Sequence, residues 1–323
     1  MARVIVSTEH DPYQNLALEE ELLFTPHDGL WLYLWQNQNT VVIGRNQNPY
    51  LECDISYMNQ NGIRLARRLS GGGAVYHDLG NLNYTFLGNE KDLNPKRQTQ
   101  LLARVLHSFG ISCTFSGRND LLCEGRKCSG QAYYSEDGFA YHHGTLLIDS
   151  DLTVMEKILT PSRLKLEAKG ISSVRSRVVN LNELSTSITA EQIARRLIEY
   201  FEEEYGDRRD NSNSNPLKNL TIWDFKAKPT QKTAEYSSSA WILGKCPDYK
   251  ATMDIKTETG IFRLQAKVEE GLIQEAILST DSLNPLTIQN LEKGLTGCLF
   301  EENAIRKRLI EYSIEPTQAR LQQ

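Results

Sequence analysis

Between Ala66 and Phe86 the chain reads ARRLSGGGAVYHDLGNLNYTF, and the consecutive glycines Gly71, Gly72 and Gly73 restrict its folding more than any other feature. Glycine loses more conformational freedom on ordering than any other residue, so a run of three weakens a helix or strand. The same run suits a backbone that approaches a ligand closely, because glycine accepts φ > 0 and leaves its N–H groups open to anionic oxygens. Leu82, Tyr84 and Phe86 alternate with polar residues beyond the run, so the glycines are predicted to join two strands and wall a cleft. No G-K-[ST] follows, which excludes a Walker A loop, and no G-x-G-x-x-G spacing links a strand to a helix, which excludes a dinucleotide fingerprint. Arg67 and Arg68 precede the glycines as forked donors suited to phosphate or carboxylate. The plainer alternative is a glycine-rich hairpin with two solvated arginines.

Around this segment the pattern predicts an α+β fold. Pro12 opens a helix with an apolar stripe at Leu16, Ala17, Leu18, Leu22 and Leu23, and Glu19, Glu20 and Glu21 lie between. Strands are predicted at Leu30–Trp35, Thr40–Ile43, Ile63–Arg67, Leu82–Phe86, Leu121–Cys128 and Ala140–Ile148, in an antiparallel or mixed sheet. Helices are expected over Leu101–Phe109, stopped by Gly110, and over Glu191–Tyr205, burying Ile193, Leu197, Ile198 and Phe201. From Gly206 to Ser239 the composition turns to Asn, Ser, Asp, Lys and Pro around an apolar island at Ile222, Trp223 and Phe225, which reads as a connection. Beyond it, Tyr249–Ile255, Ile261–Lys267 and Leu272–Ser279 form a three-stranded meander, followed by helical patterns at Leu286–Leu295 and Glu301–Tyr312. The expected division is a large unit at 1–238, a linker at 239–248 and a small unit at 249–323.

The 323 residues, 40% hydrophobic and 24% charged, fit a globular protein, and the net charge of -5 supplies no basic field for capturing nucleic acid. A nucleotide needs only a local cationic cluster. Apolar stretches are strand-sized and the start MARVIVSTEHDPY has no secretory h-region, so a cytoplasmic protein without a membrane span is expected. The six cysteines, Cys53, Cys113, Cys123, Cys128, Cys246 and Cys298, are scattered without a C-x-x-C pair, which reads as free, reduced thiols.

In GRKCSGQAYY, Lys127 has the small neighbours Ser129, Gly130 and Ala132, which leave room beside an ammonium group. A lysine between a carboxylate and the α-phosphate of ATP would stabilise both anions as an acyl-adenylate forms. The alternative is a strand-end lysine paired with a surface carboxylate such as Glu124. Cys128 should face away from whatever Lys127 touches and reads as structural rather than as a thioester nucleophile. Asn119 and Asp120 in SGRNDL, and His142 and His143 in YHHGTLL, sit where loops meet strands; Asp120 could hold Mg2+ or a nucleotide hydroxyl, or simply form a turn. The run KGISSVRSRVVNL holds Lys169, Arg175 and Arg177 and reads either as a loop that closes over a reactive mixed anhydride or as a solvated connection.

Taken in order, VVIGRNQNPYLEC, RRLSGGGAVYHDLGN, SGRNDL, GRKCSGQAYY, HHGTLL and KGISSVRSRVVNL closely resemble the lipoate-protein ligase A family, and TDSLNP and GCLF carry the similarity over nearly the whole chain. The resemblance implies a class II biotin/lipoyl ligase catalytic domain with mixed, mainly antiparallel sheets and a small α+β C-terminal domain. It implies that ATP, Mg2+ and (R)-lipoate give lipoyl-adenylate and pyrophosphate, after which a carrier lysine is acylated. The carriers implied are lipoyl domains of 2-oxoacid dehydrogenase E2 subunits and the glycine cleavage H protein. By the same resemblance Lys127 is catalytic and contacts both lipoate and nucleotide, while Arg68, Gly73, Ala74, Val75, Tyr76, Asn119 and Asp120 serve ATP. Arg68, Ser70, Gly71, Gly72, Gly130 and His143 serve lipoate, Lys169, Gly170, Ser173, Val174, Arg175 and Arg177 belong to the adenylate loop, and Asp120 is the candidate Mg2+ ligand. An apolar tunnel beside the glycine loop would take lipoate's aliphatic chain, and octanoate with it. Two departures stand out: Tyr76 where phenylalanine is also seen, and a longer, more polar linker. The nearest rival is a lipoyltransferase using preformed lipoyl-adenylate or another lipoyl donor; octanoyl transfer, biotin ligation and a non-catalytic binder follow.

Overall fold

The computed structural model describes residues 3–116, 120–159, 177–185, 188–206, 222–225, 229–243, 251–258, 260–269, 271–282, 288–312, 314 and 316–322. The strands are β1 (Arg3–Ser7), β2 (Trp31–Trp35), β3 (Thr40–Ile43), β4 (Arg64–Arg67), β5 (Val75–His77), β6 (Asn81–Asn89), β7 (Cys113–Ser116), β8 (Asp120–Cys123), β9 (Arg126–Glu136), β10 (Phe139–Leu147), β11 (Ile222–Phe225), β12 (Ala251–Thr257), β13 (Ile261–Glu269), β14 (Leu272–Thr280) and β15 (Pro316–Gln322). They form an eight-stranded sheet in the order β11-β1-β2-β6-β10-β9-β8-β7, a three-stranded sheet β4-β3-β5 and a four-stranded sheet β14-β13-β12-β15. β1 pairs in parallel with β2 and β11, and β3 in parallel with β4; the other ladders are antiparallel. The expected α+β class with mixed, mainly antiparallel sheets is therefore what the chain adopts.

The sequence of β2, WLYLW, is apolar at every position because both faces of the central sheet are covered. Successive side chains point to opposite faces. Leu32, Leu34, Leu82, Tyr84 and Phe86 pack against the helices Pro95–His107 and Ala190–Tyr205 through Leu102, Val105, Leu197 and Phe201. Trp31, Tyr33, Trp35, Leu87 and Tyr141 pack on the other side with Leu16, Ala17 and Leu18 of the helix Pro12–Leu23, and with Val42 and Ala66 of the small sheet. The C-terminal sheet has its own core, closed by Leu291, Leu295, Ile305 and Leu309 from the helices Ile288–Leu295 and Glu302–Glu311.

Four expectations change in detail. The run Leu121–Cys128 is not one strand but a hairpin, β8 and β9, turning through Glu124 and Gly125 at φ of 50° and 75°. Two central residues with positive φ match the twist of adjoining strands, so the turn is two residues long. The apolar island at 222–225 is β11, an edge strand beside β1, and so belongs to the first sheet. The helix predicted from Leu101 starts at Pro95, where the Asn94 side chain accepts from the Arg97 N–H at 3.1 Å. The meander gains a fourth strand, because β15 returns antiparallel to β12.

Arg67 ties distant segments to β4. Its guanidinium, on a residue only 5% exposed, donates to the carbonyls of Gly44, Arg45 and Gln47 at 2.7–3.2 Å and to those of Trp241, Ile242 and Leu243 at 2.7–3.2 Å. The Trp241 indole donates back to the Arg67 carbonyl at 2.9 Å. Each buried carbonyl that loses its donor costs about 1–3 kcal/mol. Arg67→Ala should therefore lower the unfolding free energy by at least about 3 kcal/mol. Urea denaturation followed by tryptophan fluorescence would show this as an earlier midpoint, and an unchanged midpoint would rule out the tethering role.

Candidate functional site

The β8–β9 hairpin sets Lys127 beside Asp120, with the amine 2.8 Å from one carboxylate oxygen. Arg177 pairs with the other oxygen of Asp120, and the backbone carbonyl of Lys127 accepts the Val179 N–H at 3.0 Å, so the segment 177–179 is bound to β9. The alternative partner Glu124 contacts Arg126 instead. Gly130 explains how the lysine fits. A β-carbon there would lie 2.6 Å from Lys127 Nζ and 2.8 Å from Cε, so the side chain lies across the space that glycine leaves. Only 17% of the Lys127 side chain is exposed, and burial holds the amine's pKa below its ordinary value; Asp120 works against that shift, while Arg177 and Arg68 add to it.

The same face of the sheet carries His143, which pairs with Ala132 two residues beyond Gly130. His143 Nε2 lies 2.8 Å from the Ser70 hydroxyl, and Nδ1 lies 2.9 Å from a Glu19 carboxylate oxygen. Glu19 also accepts from the Thr85 hydroxyl at 2.6 Å, and Thr85 from the Trp35 indole at 3.1 Å. Ser, His and Glu in this order resemble a hydrolytic triad. Here the Ser70 hydroxyl also accepts from Arg68 Nε at 3.0 Å, and Ser70 is fully buried, so the chain anchors the loop rather than presenting a nucleophile. His142 points to the opposite face, against Phe86 and Gln98; burial pushes its pKa down to about 3 and leaves it neutral.

Arg68 organises the glycine segment from inside. It donates to the carbonyls of Val42, Gly71 and Gly73 at 2.7–3.1 Å, and burial lowers its pKa to about 10, so it stays protonated at neutral pH. Gly72 adopts φ of 94°, a left-handed conformation that glycine takes without strain, and its carbonyl occupies the space where a β-carbon on Gly44 would sit. The Gly72 N–H donates to the Ser282 carbonyl at 3.0 Å, and the Thr280 N–H to the Asn46 carbonyl at 3.0 Å, so residues 280–282 rest on the loop. Gly73, Ala74 and Val75 are half-buried along the rim; the Tyr76 ring is buried with Val41 and Met58, and its hydroxyl donates to Asn39 at 3.1 Å.

Lys127, Gly130, Arg68, Ser70, Gly71, Gly72 and His143 thus come together around one sheet face. Asn119, Lys169, Gly170, Ser173, Val174 and Arg175 lie outside the described residues. Asp120 has both oxygens engaged by cations, Lys127 on one and Arg177 on the other. Sequence reasoning passed over Glu19 and Ser282. Glu19 was legible: three residues after Leu16 and four before Leu23, it falls on the buried helix face.

Two outcomes follow from the geometry. Gly130→Ala should barely affect stability, because a flexible side-chain end can move, but it shifts the amine by an ångström or more and should slow any Lys127-dependent step by roughly 100-fold. A variant with unchanged kinetics would show that the lysine's position is not critical. In Asp120→Asn the influence that raises the Lys127 pKa is gone, so the amine should lose its proton at lower pH than in the wild type. Mass-spectrometric labelling of Lys127 against pH would show the curve moved to the acid side; an alkaline shift would contradict the pairing.

Comparison with known proteins completes the picture. Residues 11–202 match the family described as lipoyl protein ligase A/B catalytic domain, and residues 246–321 match the bacterial lipoate protein ligase C-terminus. The chain is similar to P. falciparum LipL1 in complex with lipoate, at 27% identity and a TM-score of 0.78, over 98% of this chain and 96% of that one. It is similar to the bi-partite lipoate protein ligase of T. acidophilum, solved with its E2 lipoyl domain, at 26% identity and a TM-score of 0.60 over 75% of this chain and 96% of that one. A lipoate-protein ligase A bound with ATP gives 25% identity and a TM-score of 0.58, over 75% of this chain and 98% of that one. With the catalytic-domain match spanning more than half its length and the C-terminal match following, the chain belongs to the lipoyl protein ligase A/B family.

Proposed function

We propose that this protein uses ATP to activate lipoate as lipoyl-adenylate and then acylates a lysine of a lipoyl domain. The observation that carries the reading is the Lys127 amine, held over Gly130 beside the glycine segment, with one carboxylate and two guanidinium groups setting its charge. A lipoate carboxylate oxygen attacks the α-phosphorus of ATP, the phosphoanhydride bond breaks, and pyrophosphate leaves. Lys127 draws the two anions together and stabilises the charge that builds on the phosphoryl oxygens. In the second half-reaction the neutral amine of the carrier lysine attacks the mixed anhydride carbonyl, and AMP departs. The relatives support this choice of partners, since one is described with lipoate, one with ATP and one with its E2 lipoyl domain.

The assignments made by resemblance belong to the same proposal. Arg68, Gly73, Ala74, Val75, Tyr76, Asn119 and Asp120 would serve the nucleotide; Arg68, Ser70, Gly71, Gly72, Gly130 and His143 would serve lipoate; Lys169, Gly170, Ser173, Val174, Arg175 and Arg177 would cover the adenylate. The division into a catalytic unit at 1–238, a linker at 239–248 and a C-terminal unit at 249–323 is proposed with them. So are Mg2+ as companion of ATP, the H protein as a second carrier and a cytoplasmic location. The described helices include none long and apolar enough to cross a membrane.

Pyrophosphate release with ATP, Mg2+ and lipoate tests the activation step, with octanoate and biotin as comparisons. Lipoate and octanoate should both support release and biotin should not, because each buried methylene adds about 0.8 kcal/mol to an extended chain. Lys127→Ala should slow release by roughly 100-fold or more while the fold persists. Acyl transfer from supplied lipoyl-adenylate without lipoate-dependent pyrophosphate release would leave a transferase in place of a ligase.

A further inference from the structure

Three sulfurs meet on the face of the sheet opposite Lys127. Cys113 on β7 and Cys123 on β8 are direct cross-strand partners with Sγ atoms 2.9 Å apart, and Cys128 Sγ on β9 lies 3.2 Å from that of Cys123. Cys123 and Cys128 are fully buried. Cys113, on the edge strand, is half-buried and lines an open groove of about 350 Å3 with Gln100, Ala103, Arg104, His107 and Ser112. One sulfur of the cluster is thus within reach of a solute while its partner is sealed behind it. The arrangement matches a redox-active pair, an accessible thiol poised next to a resolving one.

Geometry separates this from a metal site. Directly opposed residues of antiparallel strands have Cα atoms about 4.5–5.5 Å apart, inside the span of a disulfide. Tetrahedral zinc with thiolates at about 2.3 Å needs sulfurs spread roughly 3.8 Å apart, wider than either contact here. Hydrogen bonds from Cys123 and then Cys128 hold the Cys113 thiol below its ordinary pKa, and the same contacts raise the other two, which favours the half-buried Cys113 as the attacking sulfur.

We propose that Cys113 and Cys123 form a reversible disulfide by exchange with a small-molecule disulfide of the oxidised-glutathione class. The Cys113 thiolate attacks one sulfur of the small disulfide, forming a mixed disulfide and releasing one thiolate. Cys123 then attacks the Cys113 sulfur, the mixed disulfide breaks, and the second small thiol leaves. Both protein thiol protons end on the two released thiols, so two cysteines are oxidised as one small disulfide is reduced. β8 begins at Asp120, so the bond would tether the strand that supplies the counter-charge of Lys127 to its outer neighbour.

The test uses the intact chain, equilibrated in glutathione buffers of rising oxidised fraction, alkylated and mapped by mass spectrometry. As the oxidised form rises, two alkylatable thiols should be lost and a Cys113–Cys123 linked peptide should appear, reversed by dithiothreitol. Cys128→Ala should keep the bridge and Cys113→Ser should abolish it. Failure of the linked peptide to form in fully oxidised glutathione, or a bridge that persists in Cys113→Ser, would overturn the assignment. Protection of all three cysteines by one equivalent of Zn2+ in the reduced protein would overturn it in favour of a metal site. The readout is independent of acyl activation, so it stands or falls apart from the ligase reading.

Discussion

An ammonium group withdrawn from water keeps its proton only where nearby charge offsets the lost hydration, and the site is arranged around that requirement at Lys127. Asp120 supplies the counter-charge because the hairpin turn at Glu124 and Gly125 folds β8 back on β9. Arg177 then holds the second oxygen of Asp120, so one carboxylate serves two cations and the cluster keeps a net positive charge. A positive cluster next to an open backbone segment is what two mutually repelling anions need to approach one another. Gly130 makes that placement possible, because its missing side chain leaves space that the end of the lysine occupies.

The glycine segment depends on the same neighbourhood from above. The carbonyls of Gly71 and Gly73 turn inward to the Arg68 guanidinium, and Ser70 is pinned through His143 to a carboxylate on the first helix. With two carbonyls and the Ser70 hydroxyl occupied, the loop is tied to the core at three points, although three glycines in sequence suggest the opposite. The C-terminal sheet adds a backbone contact at Gly72, so the position of that sheet and the shape of the loop are physically linked.

Much of this was legible in the chain. The strand–glycine–strand arrangement, the helix from Pro12 and the lysine among small residues all follow from periodicity and residue size, and the structure contains them. Other parts were hidden for identifiable reasons. The apolar run Leu121–Cys128 kept its character through the turn, so nothing but the pair Glu124-Gly125 marked the hairpin. Ile222 to Phe225 is a strand because β1 offers it an edge, a tertiary cause that local composition cannot carry. Arg67 and Arg68 looked equivalent in sequence; one is committed to six backbone carbonyls that link segments far apart in the chain, and the other to the loop. The cysteines looked scattered because their spacing of ten and five residues has no local meaning until three strands align.

That alignment also explains why the two faces of β9 carry different chemistry. Neighbouring residues of a strand face opposite ways, so Lys127 is committed to the polar side and Cys128 to the sulfur cluster within the core. The ladder between β8 and β9 shifts register between Leu121 and Leu122, placing Cys128 as the extra residue between Lys127 and Ser129. A bulge of this kind bends the strand and re-aims its side chains. The register shift that leaves Lys127 on the face of Asp120 also leaves Cys128 beside Cys123, so the amine and the sulfur cluster are set by one stretch of backbone.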